Sequence, residues 1–221
     1  MRIGLFGGTF NPIHRGHLWA ASEVKKIFNL DQIILIPAAL PPHKTPGQVA
    51  RADDRLNMIN LAVTDLSGLT VSDVELHRSG PSYTIDTIRH FKHSLGEAVR
   101  IYLIMGLDAF LEIHTWKSHQ ELLEQIAFIV MARPGEDYAD ARHGWEILAA
   151  YLKSTLSADY QFDAAEACYT SEGKQPIYIC DIGALDISST KIREKVKKRL
   201  STKDLVTPEV ADYIRLKGLY R

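Results

Sequence analysis

The sequence predicts an α/β fold: a doubly wound, mostly parallel sheet with helices closing the C-terminal end. Short apolar runs alternate with longer amphipathic segments along most of the chain, which is the pattern of βαβ units. One run, Ile33-Ile34-Leu35-Ile36, is apolar throughout, as expected of a strand buried on both faces. Polar or glycine-bearing clusters follow the six predicted strands, and a parallel sheet would gather them at its carboxyl edge, where open α/β folds bind ligands.

Taken in order, the first strand covers about residues 2–6 and the first helix about 16–29, through Leu18, Ala21, Val24 and Phe28. Pro37 stops the second strand, and the Pro-rich run from Ala38 to Pro46 excludes regular structure. Arg55 to Asp65 reads as a helix through Leu56, Ile59 and Val63, and Thr70 to Leu76 alternates like a strand. After the break at Ser79-Gly80-Pro81-Ser82, helical spacing resumes at Ile85, Ile88, Phe91 and Leu95. Val99 to Met105 and Ala127 to Met131 are buried strands, separated by a short helix that Ser118-His119-Gln120-Glu121 opens as a capping box. Residues 136–175 yield one helix, through Ala141, Trp145, Leu148 and Leu152, and little else. Ile177 to Ile182 is the last strand. Helices follow from Ser188 and from Thr207-Pro208, the latter ending at Gly218.

No internal repeat or long linker divides the 221 residues, so a single domain spanning 1–221 is expected. A 46% hydrophobic fraction supplies a sizeable core. The formal net charge of −1 gives no global attraction for nucleic acid or an anionic membrane, so anion binding must come from local donors. Cys168 and Cys180 fit no zinc spacing and point to a reducing compartment. With no cleavable apolar leader and no apolar run of membrane-spanning length, a soluble cytoplasmic protein is expected.

The most informative stretch is Ile3 to His17. A strand runs into Gly7, Gly8, Thr9 and Phe10, and a Pro-containing turn leads to a helix start carrying His14 and His17. Glycines let the backbone turn and a ligand approach, and helix N-termini attract anions. Gly16, between the histidines, is expected to leave room for a bulky group such as a phosphate. The glycine spacing matches neither a dinucleotide fingerprint nor a P-loop. A structural turn and a metal site with two histidine ligands remain alternatives on these residues alone.

Each further cluster has a bland alternative. Ser188, Ser189 and Thr190 could simply cap their helix, yet Lys191 and Arg193 add cations suited to a polyphosphate. Lys44 and Arg133 could be plain loop charges, and Trp116 a core residue. Ser82 to Thr84 and Asp108 likewise follow strands. His90, His93, His114 and His119 read as surface residues, and the two cysteines as packing.

At this point the residues resemble a family. Gly7-Gly8-Thr9-Phe10-Asn11-Pro12-Ile13-His14-Arg15-Gly16-His17 and Ile187-Ser188-Ser189-Thr190-Lys191-Ile192-Arg193 are similar to the two signatures of the His-x-Gly-His nucleotidyltransferases. Pro41-Pro42-His43-Lys44, Gly80-Pro81-Ser82-Tyr83-Thr84, Gly106-Leu107-Asp108 with Trp116, and the closing Gly218-Leu219-Tyr220-Arg221 resemble the bacterial nicotinate-nucleotide adenylyltransferases. The resemblance implies a Rossmann-like doubly wound sheet and transfer of AMP from ATP to nicotinate mononucleotide. It implies His14 and His17 as the catalytic donors, with Gly7, Gly8, Thr9, Phe10, Ser188, Ser189, Thr190 and Arg193 also at ATP. Lys44, Tyr83, Thr84, Asp108, Trp116 and Arg133 would bind the pyridine nucleotide. Mg²⁺ would arrive with ATP, held by phosphates and water, with no protein metal site. Most members carry Asp where Asn11 stands, which questions any acid–base or metal role there. The rivals are an adenylyltransferase for nicotinamide mononucleotide or another small phosphate, and a nucleotide sensor without turnover.

Overall fold

The computed structural model describes residues 1–39, 49–132, 141–183 and 185–221, with the side chains of 141 and 142 left aside. The described residues begin with β1 (Arg2–Gly8), α1 (Arg15–Ile27), β2 (Gln32–Pro37), α2 (Ala52–Val63), β3 (Leu69–Val71) and α3 (Thr84–Leu95). Next come β4 (Arg100–Gly106), α4 (Leu107–Phe110), α5 (His119–Gln125), β5 (Ala127–Ala132) and α6 (Ala141–Tyr151). The chain ends with β6 (Gln161–Asp163), β7 (Cys168–Thr170), β8 (Ile177–Asp181), α7 (Ser189–Lys197) and α8 (Pro208–Lys217).

The strands lie in the order β3-β2-β1-β4-β5-β8-β7-β6. β2 pairs parallel with β3, as do β4 with β5 and β5 with β8, while β7 pairs antiparallel with both β6 and β8. The mostly parallel, doubly wound sheet predicted above is therefore present. Its winding reverses at β1, and ligands of such sheets bind beyond the carboxyl ends of the strands at that reversal. By internal contacts the chain divides into two compact units, Met1–Leu5 with Tyr83–Ala184, and Phe6–Ser82 with Leu185–Arg221.

In the second unit β2 is buried on both faces, Ile33 to Ile36 being at most 8% exposed, as the uninterrupted apolar run requires. α1 buries Leu18, Ala20, Ala21 and Val24. The buried stripe of α2 is Arg55, Met58, Ile59, Ala62 and Val63, so an arginine occupies a position of the apolar face. Tyr213 of α8 donates to Asp54 of α2 at 2.9 Å, and Thr207 caps α8 by accepting from the Val210 N–H. β3 is shorter than its alternating pattern predicts. The Ser72 hydroxyl accepts from the Val74 N–H, and the Leu76 N–H bonds back to the Asp73 carbonyl. These local bonds draw the backbone into a turn before the alternation ends.

In the first unit β4, β5 and β8 bury Ile104, Ile129 and Ile179, and Phe110 meets Phe128 edge-on at 5.5 Å. The capping box expected at Ser118 does not form. Ser118 is left-handed with φ 52° and makes no side-chain cap bond, and the Glu121 carboxylate, which would return the second bond, is engaged by Arg89 and by Gln125. The uninformative stretch before β8 holds the β6–β7 hairpin, turned by Asp163, whose carboxylate accepts from the Ala165 and Glu166 N–H groups. Cys168 and Cys180 are buried free thiols, and burial pushes the Cys180 pKa up to about 12, so they pack as expected. His90 and His93 are exposed, and so is His114, which meets the Tyr151 hydroxyl at 2.9 Å. Among the described residues no helix is long and apolar enough to cross a membrane.

Candidate active site

The glycine loop lies within the second unit, and its three glycines do different work. A Cβ on Gly7 would meet nothing within 4 Å, so this backbone is open to an incoming group. A Cβ on Gly8 would come within 3.0 Å of the Phe10 ring. That ring is 2% exposed, in a residue with φ 47°, and packs edge-on against Phe6 at 5.8 Å and His17 at 5.0 Å. The space above Gly16 is not open, contrary to expectation. A Cβ there would sit 3.1 Å from Nδ1 of His14, so Gly16 makes room for its neighbour's imidazole rather than for a phosphate. Gly7→Ala should therefore fold with wild-type thermal stability yet raise the KM for the ATP that the sequence resemblance implies, a pairing that melting curves and steady-state kinetics can check. An unchanged KM would mean that no ligand approaches Gly7.

His14 is the N-cap residue of α1, in extended backbone conformation and 4% exposed. Its Nδ1 accepts from the His17 N–H at 3.3 Å, and the His17 Nδ1 accepts from the His14 N–H at 3.3 Å. This is a capping box built from imidazoles, and it satisfies two N–H groups at the helix start. The rings stack at 3.7 Å with an interplanar angle of 26°. With each Nδ1 accepting, the proton of each neutral imidazole resides on Nε2, so both histidines are fixed as Nε2–H donors. Ring-nitrogen lone pairs lie in the ring plane, and two nearly parallel planes do not converge on one metal ion. Among the described residues no three His, Cys, Asp or Glu side chains cluster as metal ligands.

The start of α7 is tied to the same loop. Ser188 caps the helix, accepting from the Lys191 N–H at 3.2 Å, and Ser189 Oγ donates to the Pro12 carbonyl at 2.9 Å. Arg193 donates through Nη1 to the Asn11 carbonyl at 2.9 Å and through Nη2 to Thr190 Oγ1 at 3.1 Å. Gly7, Gly8, Thr9, Phe10, His14, His17, Ser188, Ser189, Thr190 and Arg193 thus belong to one unit, joined through the carbonyls of residues 11 and 12.

Asn11 has a structural explanation. It is 6% exposed, and its Oδ1 accepts from the Ala50 N–H at 3.0 Å and from the Tyr220 hydroxyl at 2.9 Å. An amide oxygen serves this dual acceptor role without bringing a negative charge into the loop. Two residues here were not singled out from the sequence. One is Tyr220, whose hydroxyl pKa is pushed up by burial and which reaches the loop from the C-terminal end. The other is Arg55, which donates to the Thr9 carbonyl. Tyr220 could have been found, since the closing segment was already conspicuous, whereas an arginine inside a helical pattern gives no such signal.

Tyr83, Thr84, Asp108 and Trp116 lie in the first unit. Tyr83 is the N-cap residue of α3 and makes no side-chain cap bond, so the first-turn N–H groups from Thr84 onward lack that partner. The Lys117 ammonium sits 4.4 Å from the Tyr83 ring centroid and bonds Asp86 at 3.2 Å. Asp108 is exposed in the first turn of α4, its carboxylate lying over Gly106. Trp116 is half-buried rather than a core residue, and its N–H closes a short turn on the Ile113 carbonyl at 2.9 Å. Lys44 and Arg133 lie outside the described residues.

Comparison with known proteins is consistent over the whole length. Residues 5–195 match the cytidylyltransferase-like family. The chain is 42% identical to the probable nicotinate-nucleotide adenylyltransferase of Desulfatibacillum aliphaticivorans, covering all of both chains. It is 39% identical to the protein of the same name from Desulfitobacterium hafniense (strain Y51), covering all of this chain and 96% of that one. Among solved structures, Plasmodium falciparum nicotinic acid mononucleotide adenylyltransferase complexed with NaAD aligns with a TM-score of 0.73 at 22% identity. That alignment covers 99% of this chain and 97% of the other, and supports the fold. These matches show that the chain belongs to the nicotinate-nucleotide adenylyltransferases of the cytidylyltransferase-like family.

Proposed function

We propose that the protein transfers the adenylyl group of ATP to nicotinate mononucleotide, giving nicotinate adenine dinucleotide and pyrophosphate. A phosphate oxygen of the mononucleotide forms the new bond to the α-phosphorus of ATP. The bond from that phosphorus to the α,β-bridging oxygen breaks, and its electron pair leaves with pyrophosphate. The nucleophile is already an anion, so the protein's contribution is positioning and stabilisation of charge on the phosphoryl oxygens. The observation that carries the reading is the reciprocal His14–His17 cap, which presents two fixed Nε2–H donors at a helix start.

In this reading Gly7, Gly8, Thr9 and Phe10 let the phosphates approach the backbone, and Thr190 with Arg193 holds the triphosphate. Ser188 and Ser189 contribute through α7, one capping it and one fastening it to the loop. Mg²⁺ is part of the ATP substrate, carried by phosphate oxygens and water. For the pyridine nucleotide, the N–H groups at Tyr83 and Thr84 take the carboxylate, Trp116 stacks on the ring, and Asp108 meets a ribose or base edge. Lys44 and Arg133 meet acidic groups. Support for a carboxylate comes from α3, whose N-terminus carries the positive end of its dipole and no side-chain cap. The two free thiols support a cytoplasmic setting, and the net charge of −1 supports small-molecule partners over nucleic acid or membrane.

The decisive experiment measures pyrophosphate release from ATP with Mg²⁺ and either nicotinate or nicotinamide mononucleotide. Turnover with the acid, and a clear preference for it over the amide, is expected. Equal rates would mean that the Tyr83–Thr84 N–H groups do not read the carboxylate. Folded protein that binds ATP without turnover would make it a sensor.

A further inference from the structure

Arg55 is the largest fully buried side chain among the described residues, 1% exposed, and its hydrogen-bond partners are backbone carbonyls. Nε donates to Ala50 at 3.0 Å, Nη1 to Thr9 at 2.8 Å, and Nη2 to Ala38 at 2.7 Å and Ala39 at 3.2 Å. Among the described residues no carboxylate forms an ion pair with it. A buried cation without an anion is costly, and burial pulls this guanidinium's pKa below the ordinary arginine value. The fork geometry of arginine lets one group hold several carbonyls, but carbonyl dipoles supply no net negative charge.

The bond to Thr9 has a consequence for the phosphate loop. The Thr9–Phe10 peptide is trans, the cis bond in this stretch being Asn11–Pro12. In a planar trans peptide the C=O and N–H point in opposite directions. With Arg55 on the carbonyl side, the Phe10 N–H is directed away from it, and a cation on the oxygen draws electron density from the nitrogen. The N–H becomes a stronger donor, and hydrogen bonds coupled in this way reinforce one another.

We infer that Arg55 is a positioning residue for the phosphates of ATP, acting through the Thr9–Phe10 peptide, with the bound phosphate supplying the charge that balances the buried guanidinium. The inference rests on the adenylyltransferase reading for the identity of the anion. The same peptide would grip the pyrophosphate product.

The test compares wild type with Arg55→Gln, Arg55→Lys and Arg55→Ala after each is confirmed folded by circular dichroism. Arg55→Gln should lower kcat/KM for ATP by roughly 10- to 100-fold, the scale of a lost charge-assisted hydrogen bond, and leave the KM for nicotinate mononucleotide near wild type. Arg55→Lys should recover part of the loss. Guanidinium ion at non-denaturing concentration should restore activity to Arg55→Ala, while neutral urea, of similar shape, should not. Parallel changes in both KM values with no guanidinium rescue would reduce Arg55 to a packing residue and overturn the inference.

A second arm needs no variant. In wild-type protein titrated with inorganic pyrophosphate, the Arg55 Nε–Hε and Phe10 amide resonances should shift with one midpoint. An Arg55 signal that stays fixed to saturation would overturn the proposal even if the variants fail to fold. Wild-type protein that releases no pyrophosphate in the turnover assay would refute the reaction but not this anion linkage, so the two failures are distinguishable.

Discussion

His17→Ala is expected to lower kcat by about 10²- to 10³-fold, the usual consequence of removing one donor from developing phosphoryl or acyl charge. The substitution removes two things at once, and the geometry allows them to be separated. Nδ1 of His17 caps the His14 N–H at 3.3 Å, while Nε2 is the donor fixed by that bond. Loss of a cap costs about 1 kcal/mol of stability, which a thermal melt reads without reference to activity. His17→Asn places an amide oxygen near the Nδ1 position and can keep the cap, but it does not reach the Nε2 position. His17→Gln extends an N–H toward Nε2 and gives up the short capping acceptor. If the donor carries the rate, Gln should retain more kcat than Asn although Asn melts higher. The reverse order in kcat would make the cap, and with it the placement of His14, the main contribution of His17.

The split between what the sequence revealed and what it concealed follows from how the information is stored. β2 and β5 were legible because burial on both faces demands an unbroken apolar run, and α8 because Thr207, Pro208 and Gly218 mark both its ends. The glycine loop was conspicuous as a place, since paired glycines and paired histidines meet there at a strand end. Its internal wiring was not. Gly16 reads as open space in one dimension, and only the fold shows the His14 ring filling it. Asn11 had no local reason to be an amide, because its partners at Ala50 and Tyr220 are 39 and 209 residues away. Arg55 was hidden by its own chemistry. It occupies an apolar-face position of α2, but an arginine in such a pattern marks the edge of the hydrophobic stripe, so the spacing alone points to Leu56 instead. The failures in regular structure share a cause. Ser72 helps shorten β3 and Glu121 leaves its expected cap because their side chains have other hydrogen-bond partners.

The Ser188–Arg193 segment joins these two kinds of information, since its hydroxyls and cation were visible while the carbonyls they grip were not. Arg193→Ala should therefore be the second large loss, with kcat/KM for ATP falling about 10- to 100-fold. Two of the guanidinium's five N–H groups are placed by Asn11 and Thr190, and this fixes the plane in which the others can meet phosphate oxygens. Lysine offers a point charge without that fork, so Arg193→Lys should recover only a small part of the loss. The measurement that separates ligand contact from loop support is pyrophosphate affinity, read as product inhibition in the forward direction. A residue that contacts the triphosphate tail must also contact the departing pyrophosphate, so Arg193→Ala should weaken that inhibition by a factor similar to its effect on ATP. The KM for nicotinate mononucleotide should hold. A lower melting temperature with unchanged pyrophosphate inhibition would instead make Arg193 a brace for the Asn11 carbonyl, and the triphosphate would then depend on Thr190, the α7 N-terminus and the histidine pair.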